Sequence, residues 1–213
     1  MSKCGQFGYG HFPRWGIEAL KNTIQTNEVR TVETNYLSSR DVTALLEAAK
    51  TSRYPIRDRA LIILAFRHGL RASEAVGLKW GQIQLKDAKI YVKRLKNSKP
   101  TEQDLEHDEV KILRTLQKDS KNEFVFVNER GGPMTRDGFL KMIKRLGEKA
   151  GLKGVHPHML RHGAGHALAE QGVSTRTIQK LLGHVNIQHT VRYTDVTDRA
   201  LNGLGSLIGG KLD

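Results

Sequence analysis

Disulfide chemistry is out of reach for this chain: its 213 residues include one cysteine, Cys4, so neither an internal disulfide nor a cysteine-based zinc site can form. No apolar run approaches the ~18 residues a membrane span needs, and the first thirty residues lack the apolar core of a secretory signal. A cytoplasmic, reducing compartment is therefore expected. No segment repeats itself and none is of low complexity, which removes solenoid architectures. Carboxylates with metal-ligand spacing are also missing. His156, His158 and His162 lie close together but have no cysteine, HExxH pattern or acidic triad beside them. No metal or other cofactor is expected, and a metal-dependent nuclease is disfavoured.

Acidic residues are in deficit too. Twenty-two Asp and Glu face thirty-five Lys and Arg, a formal net charge of +13. The basic residues are spread through segments with folding patterns and do not form a tail, so they predict a binding face for a polyanion, most commonly nucleic acid. The length suits one domain with a sizeable core.

Residues 1–35, with aromatics at Phe7, Tyr9, Phe12 and Trp15, are too few for an independent domain and read as an arm. The folded body is expected to begin at Tyr36. Ser38 and Asp41 form a capping-box-like start to a helix carrying Val42, Leu45, Leu46 and Ala49 at helical spacing. Pro55 opens a second helix, apolar nearly all round and hence a core helix. It ends at Gly69, just before Arg71 and a short helix, ASEAVGLKW. From Ile83 to Leu105 the alternating, β-branched pattern predicts a small antiparallel sheet whose hairpin tip displays Lys96 and Lys99. A helix over 106–119, a short buried strand FVFV at 124–127 and a turn at Gly131-Gly132-Pro133 follow. Three helices complete the pattern, at roughly 135–150, 158–171 and 174–183. The expected fold is mainly α with a small antiparallel sheet.

The chemistry concentrates in HPHMLRHGAGHALAEQGVSTRTIQKLLGHVNIQHTVRY, from His156 to Tyr193. His158 and Arg161, three apart on a helix, share one face beside the helix N-terminus, a good cradle for a phosphate. Taken alone, such a pair is more often a solvated surface feature. Arg71 with Glu74 one turn later is either an exposed ion pair worth under about 1 kcal/mol or an arginine aimed in advance by its carboxylate. Leu181-Leu182-Gly183-His184 ends a helix at a glycine cap and presents His184. Nine residues on, Tyr193 is expected in a short turn. Most tyrosines are packing residues, and a nucleophilic one must overcome a pKa of about 10. Two arginines around a bound phosphate would help it.

These boxes in this order (Arg71 in HGLRASEAVGL, a lysine hairpin, His158 and Arg161 in HPHMLRHGAGHAL, then LLGHVNIQHTVRYT) resemble the tyrosine site-specific recombinases, the phage-integrase family. The likeness runs from Tyr36 to Thr194. The resemblance implies a catalytic domain over 36–194. It makes Tyr193 the nucleophile that forms a 3′-phosphotyrosyl bond, Arg71 and Arg161 the clamp on the phosphate oxygens, and His184 a further phosphate donor. His158 becomes the general base or proton manager near the tyrosine, and Lys96 the acid for the leaving 5′-oxygen, with Lys93 and Lys99 as alternatives. Neither metal nor ATP is implied. Lys93, Arg94, Lys99, Arg136, Lys141 and Lys144 are the expected DNA contacts. The partner is double-stranded DNA with paired recombination sites, bound by a homotetramer that is a monomer or weak dimer in solution. Accessory DNA-bending proteins, a nucleoid location in a prokaryote and a tail at 195–213 that docks on a neighbouring protomer also belong to this expectation. Most members carry an N-terminal helical clamp domain. The short arm and the wording HPHMLRH make this chain more similar to the small fimbrial-switch-type recombinases. Two other readings stay open: a catalytically silent DNA-binding regulator, and a type IB topoisomerase-like enzyme.

Overall fold

The computed structural model describes residues 30–32, 34–94 and 100–194. Its order is β1 (Arg30–Thr31), α1 (Ser39–Ala49), α2 (Pro55–Arg67), α3 (Ala72–Val76), β2 (Ile83–Gln84), β3 (Lys89–Val92), β4 (Thr101–Asp104), α4 (His107–Lys118), α5 (Arg136–Lys149), β5 (Leu152–Lys153), α6 (Pro157–Glu170), α7 (Thr175–Leu182) and α8 (Gln188–Thr194). Among the described residues the fold is thus mostly helical, with β2, β3 and β4 as one antiparallel sheet.

Local chemistry sets most of these boundaries. Ser38 caps α1 reciprocally with Asp41, whose carboxylate accepts the Ser38 N–H at 3.0 Å. Pro55 occupies the first turn of α2, where its missing N–H costs nothing. Ala60 through Ala65 are all buried, and α2 packs against α1, α3, α4 and α6. It is the central post of the core. In the sheet, Ile90 and Val92 point inward opposite Gln103 and Thr101.

Apolar contacts fall into two groups. The main core gathers α1, α2, α4, α5, the sheet and the start of α6. A smaller cluster joins Ile178 and Leu182 of α7 to Tyr193 of α8.

Four expectations need correction. The FVFV segment forms no strand: Phe124 bridges Lys79 and Val127 bridges Pro133, each as an isolated pair. Val125 and Phe126 are buried as a plug, because their backbone partners lie on different loops. Regular pairing starts before Tyr36, since Arg30 and Thr31 run parallel to Leu152 and Lys153. The helix after Arg71 stops at Val76, capped by Gly77. Tyr193 lies in α8 and not in a turn, because Gly183 turns the chain through a left-handed conformation (φ 62°) and lets a new helix begin.

Candidate active site

Gly69 is the hub on which the arginines are hung. It takes φ 55°, and a Cβ there would lie 2.4 Å from Leu182 Cδ2; only glycine fits. Its carbonyl accepts from Arg161 Nη1 at 2.6 Å and from Arg94 Nη1 at 3.3 Å. Arg161, on α6, is only 2% exposed. Its other arm, Nη2, donates to the Leu182 carbonyl at 2.6 Å, so the guanidinium fork spans the ends of α2 and α7. Burial, followed by the like charges of Arg71 and Arg94, pushes its pKa down to about 9. It remains a cation at neutral pH.

Arg71 is the N-cap of α3. Glu74 accepts both its backbone N–H (2.9 Å) and its Nη1 (2.6 Å), as the three-residue spacing predicted. The same carboxylate accepts from Arg94 Nη1 at 2.9 Å. Arg71 remains part exposed while Glu74 is buried, so the guanidinium is held in place with one face toward solvent.

Tyr193 reaches this centre from α8. Its ring lies on α6 at Gly165, where a Cβ would stand 2.9 Å from Cδ2 and Cε2. Helix propensity makes that glycine unfavourable by about 1 kcal/mol relative to alanine, and the room it leaves is what the tyrosine occupies. Gly163 does the same for the Leu37 carbonyl. The Tyr193 hydroxyl is 2.6 Å from His162 Nδ1. Desolvation raises the phenol pKa, against the pull of Arg161 and Arg192. His184 follows the glycine cap of α7, with Nδ1 2.8 Å from the Thr190 hydroxyl. His158 is exposed on the first turn of α6, its ring edge-on to His162 with centroids 4.3 Å apart.

The structure therefore brings together Arg71, Glu74, His158, Arg161, His184 and Tyr193. Lys96 and Lys99 lie outside the described residues. Lys93 is exposed just past β3, and Arg136, Lys141 and Lys144 are exposed on α5. Lys141 pairs with Asp137 at 2.8 Å, and Lys144 adds its positive field to His156. Arg94 is a correction. Expected to meet DNA, its side chain is fully buried, donating to Glu74, to the carbonyls of His68 (2.9 Å) and Gly69, and to that of Leu181. The strand alternation that turns Ile90 and Val92 inward turns Arg94 inward as well. Among the described residues, no group of three or more His, Cys, Asp or Glu could hold a metal ion.

Desolvation and the surrounding cations keep the site's imidazoles neutral. His156, His158 and His166 are lowered, His162 to about 4 and His184 to about 3. An unfolded chain takes up protons near pH 6.5, before these folded imidazoles do. The stability they contribute is complete above pH 6.5 and drains away as pH falls through about 4 and 3. The melting temperature should drop steeply from pH 6.5 to 4, and His184→Asn should make that slope shallower.

Known proteins share the sequence pattern and fold of this chain. The phage integrase family is matched over residues 35–200. The type 1 fimbriae regulatory protein FimB of Escherichia coli K12 is 41% identical over 175 residues, 79% of this chain and 88% of FimB. FimE of the same strain is 37% identical over 188 residues, covering 83% and 95%. The tyrosine recombinase XerD of Listeria innocua is 36% identical, over 88% of this chain but 64% of XerD. The crystal structure of XerA recombinase superposes with a TM-score of 0.67 at 29% identity, covering 83% of this chain and 65% of that one. The Tn1549 transposon integrase, solved with circular intermediate DNA, gives 0.73 at 20% identity, a likeness of fold alone. This chain spans about two thirds of the length of such larger relatives.

Proposed function

Because this chain belongs to the phage integrase family, the tyrosine recombinases, we propose that it breaks and rejoins DNA at a specific site with Tyr193 as its nucleophile. The observation that carries the reading is the seating of Tyr193 against Gly165, within the field of the buried Arg161. The phenolic oxygen attacks the scissile phosphorus. A 3′-phosphotyrosyl bond forms, the bond to the 5′-oxygen breaks, and that oxygen leaves as a hydroxyl. Attack by the 5′-hydroxyl of another strand reverses the step, so phosphodiester energy is conserved without ATP.

Each remaining group has a part. Arg71, held by Glu74, and Arg161 stabilise the negative oxygens of the transition state. His184 accepts from Thr190 at Nδ1 and donates Nε2–H to the same phosphate. His158, exposed and edge-on to His162, manages protons near the tyrosine. Lys96 protonates the leaving 5′-oxygen, with Lys93 and Lys99 as the alternatives. Lys93, Lys99, Arg136, Lys141 and Lys144 hold the DNA backbone, a role from which burial removes Arg94. The FimB and FimE likeness supports DNA inversion as the outcome. A homotetramer on two paired sites, assisted by DNA-bending proteins, the tail at 195–213 docking on a neighbour and the arm at 1–35 completing the DNA grip, is the assembly we infer. The cytoplasm, at the nucleoid, is the place for it.

Covalent trapping tests the reading. The full chain selects a duplex from a random-sequence library, and that duplex is nicked at successive positions so that the cleaved fragment diffuses away. A protein–DNA adduct that survives denaturant and carries a free 5′-hydroxyl is expected. Binding without any adduct would make the chain a silent regulator, and adducts with supercoil relaxation but no site preference would make it a topoisomerase.

A further inference from the structure

The group that touches the reacting oxygen is not one of the six residues expected to do the chemistry. His162 Nδ1 lies 2.6 Å from the Tyr193 hydroxyl, whereas His158, expected to be the base, meets the His162 ring edge-on. A neutral phenol beside a neutral imidazole makes the O–H the donor and Nδ1 the acceptor. His162 is positioned for this by α6 itself: it follows Arg161 directly and lies one helical turn after His158. Tyr193 is fixed from the other side by Gly165 and by the edge-on ring of His166, with centroids 5.0 Å apart. His166 is in turn stacked on Tyr36 at 3.9 Å. The hydrogen bond thus joins two side chains that are each held by packing.

We propose that His162 is the catalytic base of the cleavage step, taking the proton of Tyr193 as the phenolic oxygen bonds to phosphorus. This rests on the recombinase reading above. The Oη–H bond breaks toward Nδ1, the Oη–P bond forms, the P–O5′ bond breaks, and the leaving oxygen takes its proton from the general acid. On rejoining, His162 returns its proton to the departing phenol. His158 and His166 line the ring, and Arg161 and Arg192 supply positive charge around it; together with desolvation these keep the imidazole neutral and able to accept. Burial keeps the phenol protonated until then. In the resting protein the proton stays on oxygen. It moves only when bond formation to phosphorus drains electron density from the phenol, the condition under which a general base contributes.

Three substitutions, two of them also combined, separate a base from a mere positioning contact. His162→Gln keeps a hydrogen-bond acceptor without basicity, and His162→Phe keeps the ring packing alone. The third replaces Tyr193 with 3,5-difluorotyrosine, whose more acidic phenol needs a base less. On the selected, nicked duplex, both His162 variants should bind with unchanged affinity and form adduct about 100-fold more slowly, the lower end of what general-base catalysis supplies. Placing difluorotyrosine in the His162→Gln protein should shrink that deficit about tenfold. Adduct formation by His162→Gln within threefold of the parent rate, or a deficit equal for both phenols, would overturn the assignment while leaving the recombinase reading intact. If the parent itself forms no adduct, that reading fails and the assignment falls with it. Loss of DNA affinity in His162→Phe but not in His162→Gln leaves the glutamine variant to decide.

Discussion

Tyr193→Phe should form no covalent adduct with nicked DNA, yet it should fold and bind as the parent does. The ring carbons, which carry the packing on Gly165 and the contacts with α7, are unchanged by the substitution. What disappears is one hydroxyl and its hydrogen bond to His162. A single hydrogen bond of this kind is worth about 1 kcal/mol, and the imidazole left behind is half-buried and keeps access to water. For a chain of this length that lowers the melting temperature by about 2–4 °C. Cleavage should fall below detection, because the oxygen that would bond to phosphorus is gone. Denaturing gels for the adduct, calorimetry for the fold and anisotropy for binding check the three parts. An adduct that persists in Tyr193→Phe would move the nucleophile elsewhere.

Arg161→Lys should damage fold and chemistry together, although charge is conserved. The guanidinium fork satisfies two carbonyls at once, Gly69 and Leu182, each at 2.6 Å. A lysine ammonium is a point donor on a flexible stem and cannot span both. If the ammonium keeps Gly69, which Arg94 also reaches, the Leu182 carbonyl loses its donor at a cost of about 1–3 kcal/mol, and a strongly hydrated cation is now desolvated in place of the guanidinium. We expect a total loss of about 2–4 kcal/mol. At a temperature where the variant is still folded, cleavage should fall by about 10²–10³-fold, the effect of removing one preorganised donor from a developing anion. Urea melts and single-turnover cleavage measure the two separately. A variant with the parent's stability would mean that the two carbonyl bonds carry no weight.

Local rules made much of this legible. The Ser38–Asp41 box starts α1, the all-round apolar pattern of α2 marks a core helix, and the three-residue spacings Arg71–Glu74 and His158–Arg161 place each pair on one face. Those are short-range relations, decided within one or two helical turns. Arg94 was misread because a basic residue beside Lys93 in a charged hairpin resembles a DNA contact. The alternation Ile90, Val92, Arg94 held the correct answer, and a buried carboxylate, Glu74, is what makes an inward arginine affordable. His162 was passed over for a different reason. Its spacing from His158 shows only a shared helix face, and what that face meets depends on α8, thirty residues later, turned back by Gly183. FVFV has strand composition, yet strand pairing needs a neighbour that the sequence does not announce.

The division of the apolar contacts into two clusters has an energetic consequence. Arg71, Arg94 and Arg161 are lashed to α2, α3 and the end of α7, whereas of α8 only Thr190 and Tyr193 are buried. Local opening follows buried contact, so the amides of α8 should exchange with solvent through small excursions while those of α2 wait for global unfolding. The anion-holding half of the site keeps its shape during such excursions. The nucleophile can be withdrawn and returned without dismantling what it acts against.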